Sequence, residues 1–301
     1  MSTGGLTIGI ASQGRACLAR TLASLDAMHI PEGLAVTIVV ADDDPGGAAG
    51  ALVAREGPWA LPVTVVPVGA GNISAARNAC LEAARGDWMA FVDDDEWVAT
   101  DWLLRMLAAQ RDFGADVVVG PVFPQYPPGT PGWLVAANPL YTDWGPRGRR
   151  LATGRSGNVL FRRALVEAHG IRFDPALGRT GGEDTDFFSR LHRAGAVMVA
   201  TDDARIEEEA PPARLQLAYI HRRALRSGQS YARFRLAGAR GLDPRGLAFH
   251  ADAAAKALIG GLGAALARPF SRAAALRLSQ KAWLNLGKLR QITGRDLPSM
   301  Y

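Results

Sequence analysis

From the N-terminus the chain alternates short apolar runs with amphipathic stretches. Leu6 to Ala11 is an apolar run of strand length, and Ala16 to Met28 places Leu18, Leu22 and Leu25 at helical spacing. Val36 to Val40 is β-branched throughout and predicts a second strand, closed by Asp42-Asp43-Asp44-Pro45. Val63 to Val66 predicts a third, after which Gly69-Ala70-Gly71-Asn72 turns into a helix from about Ser74 that carries Arg77, Asn78 and Glu82. Trp88 to Val92 reads as a fourth strand. A helix from Asp101 to Arg111 follows, with Thr100 as its expected N-cap, and Asp116 to Val119 reads as a fifth strand. Strands alternating with helices predict an α/β fold, a mostly parallel sheet flanked by helices and related to nucleotide-binding sheets.

The regularity then breaks. Seven prolines between Pro121 and Pro146 are interleaved with Tyr126, Trp133, Tyr141 and Trp144, and long aromatic loops of this kind are usually functional. Gly157 to Phe161 resumes as a strand and Arg163 to His169 as a helix closed by Gly170. Thr180-Gly181-Gly182 delivers Glu183 and Asp184 to the start of a helix through His192.

Composition narrows the class. The 301 residues are 48% hydrophobic and 21% charged, enough for one large domain with an appendage. Cys17 and Cys80 fall inside helical patterns without metal-ligand spacing, which suits a reducing cytoplasm. The first residues lack a basic n-region, so they read as a strand and not a signal peptide. No 18-residue apolar stretch predicts a membrane span.

The net charge of +5 conceals an asymmetry: residues 213–301 hold 16 Lys and Arg against 3 Asp and Glu, residues 1–212 hold 18 against 26. The chain is therefore divided into an α/β domain, 1–212, and a basic helical extension, 213–301. Helices expected at Ala253 to Ala267 and Leu276 to Leu289 are flanked by Arg268, Arg272, Arg277, Lys281 and Lys288. That pattern suits an in-plane helix on an anionic membrane surface, at the inner face of the membrane, or a helical pair with its basic side in water. No aromatic-basic interleaving accompanies the charge, which argues against nucleic acid.

The chemistry centres on Asp93-Asp94-Asp95-Glu96, where the fourth strand ends. Four carboxylates within about 10 Å repel by ~1 kcal/mol or more per close pair. A hard divalent cation held by oxygen ligands would relieve that; a solvated turn is the plain alternative. Glu183 and Asp184 have a plain alternative too, as helix N-terminal carboxylates facing the dipole.

Four segments stand in a fixed order: ADDDP, GNISAARN, FVDDDEW and GGEDTDFFSRL. Together they resemble the family 2 glycosyltransferases of the GT-A fold, over residues 6 to about 230, with a flavour of bacterial polysaccharide assembly. The resemblance implies inverting transfer from a nucleoside-diphosphate sugar of UDP or dTDP type to a saccharide acceptor, often lipid-linked. It places Asp42 on the nucleotide base, where a carboxylate accepts an imide N–H. It places Arg77 on base or phosphates, with a surface ion pair to Glu82 or Asp42 as the alternative, and makes Asp93 and Asp95 the DxD pair. In that reading Asp93 approaches the ribose and Asp95 holds Mg²⁺ or Mn²⁺, while Asp94, between them, points away by strand alternation but belongs to the donor set. Asp184 matches the general base. Arg222 and Arg226, in RRALRSGQS, would close over the donor, and Trp133, Trp144 and Glu183 are candidates for the acceptor side.

The chain departs from the pattern twice. Ser12-Gln13-Gly14-Arg15 replaces a Thr-Tyr-Asn type segment that packs on the base. Glu207-Glu208-Glu209 stands where relatives place a histidine; an exposed acidic turn is expected there, with one of these glutamates or His221 as the replacement ligand. Two other classes remain open at this point. One is a nucleotidyltransferase on a related sheet, for which the loop after the first strand is too short. The other is a non-catalytic nucleotide or sugar-binding module.

Overall fold

A computed structural model describes residues 4–236 and 244–291. In chain order the elements are β1 (Leu6–Ser12), α1 (Cys17–Asp26), β2 (Val36–Asp42), α2 (Ala48–Glu56), β3 (Val63–Pro67), α3 (Ile73–Ala83), β4 (Trp88–Phe91), β5 (Glu96–Val98), α4 (Trp102–Phe113), β6 (Val117–Val119), β7 (Val122–Gln125), α5 (Gly132–Ala137), β8 (Val159–Arg162), α6 (Arg163–Ala168), α7 (Glu183–Arg193), β9 (Met198–Ala200), β10 (Ile206–Glu209), α8 (Leu217–Arg235), α9 (Pro244–Ala267) and α10 (Arg272–Arg290). Two compact units form. The first runs up to Phe123 and resumes over Thr142–Glu208; the second takes Pro124–Tyr141 and the chain from Glu209 onward.

The first unit is an α/β domain around a seven-stranded sheet in the order β3-β2-β1-β4-β8-β6-β9. All neighbours are parallel except β8, which runs antiparallel to both β4 and β6. The β1–β2 ladder pairs Leu6 with Val36 and Ser12 with Asp42, and Phe91 lies opposite Val159. The C-terminal ends of β1, β2 and β4 and the N-terminal end of β8 thus share one edge. The central strands are apolar on both faces because helices cover both. Leu18, Leu22, Leu25, Trp102 and Met106 pack with Ile8, Ile38 and Val40 in one cluster. Cys80, Phe91, Phe161, Phe173, Phe187 and Phe188 form the other. Phe173 and Phe187 stack at 4.1 Å between centroids.

Several elements differ from the sequence expectation, each for a local reason. The fourth strand stops at Phe91 and the acidic turn feeds a further strand, β5, before any helix. Asp101, not Thr100, is the cap residue of α4, and its carboxylate takes Arg105 Nε at 2.8 Å instead of a backbone N–H. α3 starts at Ile73 because Asn72 Oδ1 accepts the N–H groups of Ser74 and Ala75. Residues 206–209 are a strand and not an exposed turn: Ile206 is buried opposite Val98, and Glu208 faces inward opposite Glu96.

The second unit is helical and includes the segment 124–141, which the sequence reading gave to the catalytic domain. Leu134 and Ala137 of α5 are buried with Ile220, Ala273 and Leu276, so the proline-rich segment closes a small core with α8 and α10. α9 begins at Pro244 and α10 at Arg272, each earlier than the sequence expectation. Glycine permits the close helix crossings: a methyl group at Gly228 would overlap Leu284 O, and one at Gly287 would overlap Leu225 O. Gly287→Val is expected to cost about 2 kcal/mol or more by overpacking against backbone that cannot move aside. Gly263→Ala, where the new methyl meets Leu278 Cδ1 at 3.4 Å and Cδ2 at 3.8 Å, the end of one side chain, is expected to be neutral or stabilising by up to ~1 kcal/mol. Urea denaturation of the two variants checks the contrast; equal stabilities would refute it.

Candidate active site

Backbone amides hold the first acidic segment at the sheet edge. Asp42, 2% exposed, accepts Gly50 N–H at 2.7 Å on Oδ2 and Asp44 N–H at 3.2 Å on Oδ1. Asp43 accepts the N–H groups of Ala70 and Asn72 at 2.8 and 2.7 Å, fixing the glycine turn that opens α3. Asp44 accepts from Gly46 and from Ala48, at the start of α2.

The second acidic segment is held by guanidinium groups. Since β4 has ended, Asp93, Asp94 and Asp95 lie in a turn, and strand alternation does not set their directions. Asp93 accepts Arg77 Nη2 at 3.1 Å and Arg155 Nη2 at 3.4 Å. Asp94 is 3% exposed and faces β1, where Ser12 Oγ donates at 2.7 Å and Arg15 grips both carboxylate oxygens. Asp95 shares that arginine, accepting Arg15 Nη1 at 3.0 Å. Asp94 therefore points away from Asp93, as expected, but Asp95 goes with it toward Arg15. Glu96 is fully buried; its Oε2 accepts the Asp93 N–H at 3.0 Å, and Arg155 Nη2 stands 3.6 Å from Oε1.

Arg77 is 6% exposed and pairs with neither Glu82 nor Asp42. Its second branch reaches across to α7, donating to Glu183 Oε1 at 2.6 Å. Glu183 is thereby buried beneath Arg77 as its ion-pair partner, a position set by that contact and not by capping. Asp184, next along α7, accepts Thr185 N–H at 2.6 Å on Oδ1, and among the described residues Oδ2 has no hydrogen-bond partner. A carboxylate oxygen at a helix start with one face uncommitted can take a proton.

Charge balance makes the group interdependent. Burial and then the negative Asp93 push the Glu96 carboxyl well above the usual carboxylate range. Burial acts the same way on Asp93, but Arg77 and Arg155 outweigh it and hold that group low. Asp94 is raised by burial against the pull of Arg15, and Glu183 by burial and Asp184 against the pull of Arg77. Burial opposes the charge on Arg77 and Arg155, yet both are raised, Arg77 chiefly by Asp93 and Arg155 chiefly by Glu96. Three arginines, 15, 77 and 155, thus stand among six carboxylates, 93–96, 183 and 184. Among the described residues no three His, Cys, Asp or Glu side chains form a metal cage.

Arg155 and Asn158 escaped the sequence reading. Asn158 is fully buried in the left-handed region (φ 59°), accepts Trp102 Nε1 at 2.7 Å and donates to Pro121 O and Ala204 O. It locks the start of β8, which puts Arg155 beside Asp93. The one local signal was the polar run Arg155-Ser156-Gly157-Asn158 directly before an apolar strand.

Of the other predicted residues, Trp144 belongs to the same α/β unit, and Trp133, His221, Arg222 and Arg226 belong to the helical unit. Trp144 lines the second aromatic core of the α/β unit, its Nε1 buried without a partner, so its ring is part of a wall. In the helical unit, Trp133 carries Arg272 over its ring at 4.4 Å, which covers one stacking face. His221 bonds Ser279 Oγ at 3.0 Å and stacks on Trp283, contacts that join α8 to α10. Arg222 and Arg226 lie on α8, Arg222 exposed and Arg226 half-buried.

Known proteins resemble this chain in sequence and in fold. The sequence profile described as glycosyl transferase family 2 matches residues 10–170. The succinoglycan biosynthesis protein ExoM of Rhizobium meliloti (strain 1021) is 39% identical over 244 residues, 79% of this chain and 77% of ExoM. The mannosyltransferase PcManGT of Pyrobaculum calidifontis, solved with GDP-Man and Mn²⁺, superposes with a TM-score of 0.64 at 17% identity, covering 97% of this chain and 88% of that one. TarS 1-349 of S. aureus, solved with UDP, gives 0.51 at 16% identity over 97% of this chain and 92% of that one. The latter two establish likeness of fold, the GT-A arrangement expected from the motifs. With the profile spanning more than half of the chain and ExoM matching over most of both proteins, the chain belongs to glycosyl transferase family 2 and is a glycosyltransferase.

Proposed function

We propose that the enzyme is an inverting glycosyltransferase moving a sugar from a UDP- or dTDP-type donor to a saccharide acceptor, lipid-linked, in exopolysaccharide or cell-envelope assembly. One observation carries the reading: a surplus of carboxylates around three guanidiniums at the C-terminal edge of β1 and β4, with Asp184 at its margin. A diphosphate would be repelled by such a surplus unless a cation came with it. The name of ExoM supports the polysaccharide class, and Asp42 supports the donor class. Each Asp42 oxygen accepts one backbone N–H and keeps capacity for an imide N–H.

The donor set fits a divalent cation of the Mg²⁺ or Mn²⁺ kind. Such ions bind through one or two carboxylates and complete their shell with phosphate oxygens and water, so a full protein cage is not required. Asp95 would hold it, and Arg15, about half exposed, is free to cede its contact there. Bound in this way the cation would neutralise charge developing on the leaving nucleoside diphosphate. The remaining work falls to the chain itself. Arg77 and Arg155 fix Asp93 at the ribose side, and Glu183 fixes Arg77. Asp184 Oδ2 takes the proton of the acceptor hydroxyl as that oxygen attacks the anomeric carbon from the face opposite the leaving group.

Calorimetric titration with UDP, dTDP, GDP and CDP, each with and without Mn²⁺, tests the reading. Metal-dependent binding of UDP or dTDP is expected; preference for GDP or CDP would overturn the donor class, and equal binding without metal would overturn the role of the cation. Asp95→Ala is expected to abolish the metal-dependent part, and undiminished UDP binding with Mn²⁺ would show that the acidic turn is structural. Asp184→Asn should leave nucleotide affinity within about twofold and lower kcat by a factor of ~10² or more. Wild-type turnover in that variant would remove Asp184 as the base.

A further inference from the structure

Among the described residues of the helical unit, one helix face is uncovered. α9 packs against α10 through Gly260, whose α-carbon side faces Ala282 and Leu278, and Gly246, Ala253 and Gly260 are its buried positions. At 100° per residue these lie on one side of the helix, and the opposite side carries Leu247, Leu258, Ile259, Leu262 and Leu266 with alanine between them. Their exposures are 52%, 63%, 69%, 59% and 74%, and Phe270, in the turn that follows, is 90% exposed. No charged side chain interrupts this side; Asp252 and Lys256, paired at 2.7 Å, mark its border. The 24 residues of α9 extend about 36 Å, so the apolar strip is long as well as continuous. Isolated exposed leucines need no explanation, but a continuous strip of this kind marks a contact surface.

We propose that this face of α9, with Phe270, is a docking surface for an anionic lipid bilayer, in which the helix lies parallel to the membrane. Charge selects the occupant. α9, α10 and the turn between them carry eight Lys and Arg residues against one acid, Asp252. A second copy of the chain docked face to face would bring two such positive surfaces together, whereas an anionic headgroup layer is their complement. Arg268 and Arg272 follow directly after the strip, where basic residues contact headgroups while leucine and phenylalanine enter the acyl boundary. α9 is not a membrane span: no described helix is long and apolar enough to cross a bilayer. The inference extends the reading of the acceptor as lipid-linked, and rests on it for its purpose, by naming the surface that would bring the enzyme to such an acceptor.

Flotation of the full chain with vesicles tests it. Binding is expected to vesicles of phosphatidylcholine containing about 30% phosphatidylglycerol and not to phosphatidylcholine alone, weakening as salt rises. Leu258→Ser/Leu262→Ser/Leu266→Ser should lower vesicle partitioning by about tenfold or more. These side chains are solvent-exposed, so the variant keeps its fold, and unchanged nucleotide binding by calorimetry confirms that. Wild-type chain that stays off anionic vesicles, or a triple variant that binds them as well as wild type, would overturn the proposal. So would a lipid-free wild-type dimer that the triple variant converts to monomer, which assigns the face to a second copy. Loss of metal-dependent nucleotide binding with vesicle binding intact would instead count against the donor reading alone.

Discussion

The Arg77 guanidinium is the tie on which the catalytic edge depends. One branch holds Asp93 after β4 and the other holds Glu183 on α7, so a single planar group from α3 sets the spacing of three elements that are distant in sequence. Only arginine has the fork to do this, since a lysine offers one point charge. Such a buried network is weak evidence for stability, because desolvating its ions offsets most of their attraction. Its value is positional. Removing one partner would strand a buried charge at a cost of about 3–5 kcal/mol, so the members are held together by necessity.

Arg15 and Arg155 extend the same device in two directions. Arg15 reaches from the loop after β1 to Asp94 and Asp95. Arg155 reaches from the irregular segment that leads into β8 to Asp93 and Glu96. Glu96, raised by burial and by Asp93, is the group in this lattice that sheds its charge most readily, which lowers the repulsion within the turn without removing a hydrogen bond to its backbone.

Much of this was readable because local chemistry demanded it. An apolar run gave β1, apolar runs ending in carboxylates gave β2 and β4, and a glycine pair before Glu183 gave the start of α7. What escaped depended on pairing across the chain. The direction of β8 is invisible in its own residues, yet it is that antiparallel insertion between β4 and β6 that carries Arg155 to the acidic turn. The Glu207-Glu208-Glu209 run looked like a solvated turn because its polarity is high; a ladder to β5 makes it a strand and turns Glu208 inward. Nor does anything local reveal that Arg272 lies over one face of Trp133 or that Trp144 packs against the aromatic core.

The two ends of the chain carry opposite fields, and each is intelligible only with a partner of opposite sign. Residues 1–212 hold eight more acids than bases, and the densest part of that excess is at the turn after β4. Residues 213–301 hold thirteen more bases than acids beside a bare leucine strip. A uniformly charged surface would serve solubility alone, and a smaller imbalance would suffice for that. On the reading proposed above, segregating the signs would separate two recognition problems: a cation with a diphosphate in the α/β part, where burial strengthens each contact, and an anionic sheet of headgroups in the helical part, where charges in water act over about a Debye length. The first problem needs fixed geometry, and so the carboxylates are braced by buried arginines. The second needs only sign and area, and so the basic residues of α9 and α10 are left largely exposed around an apolar face.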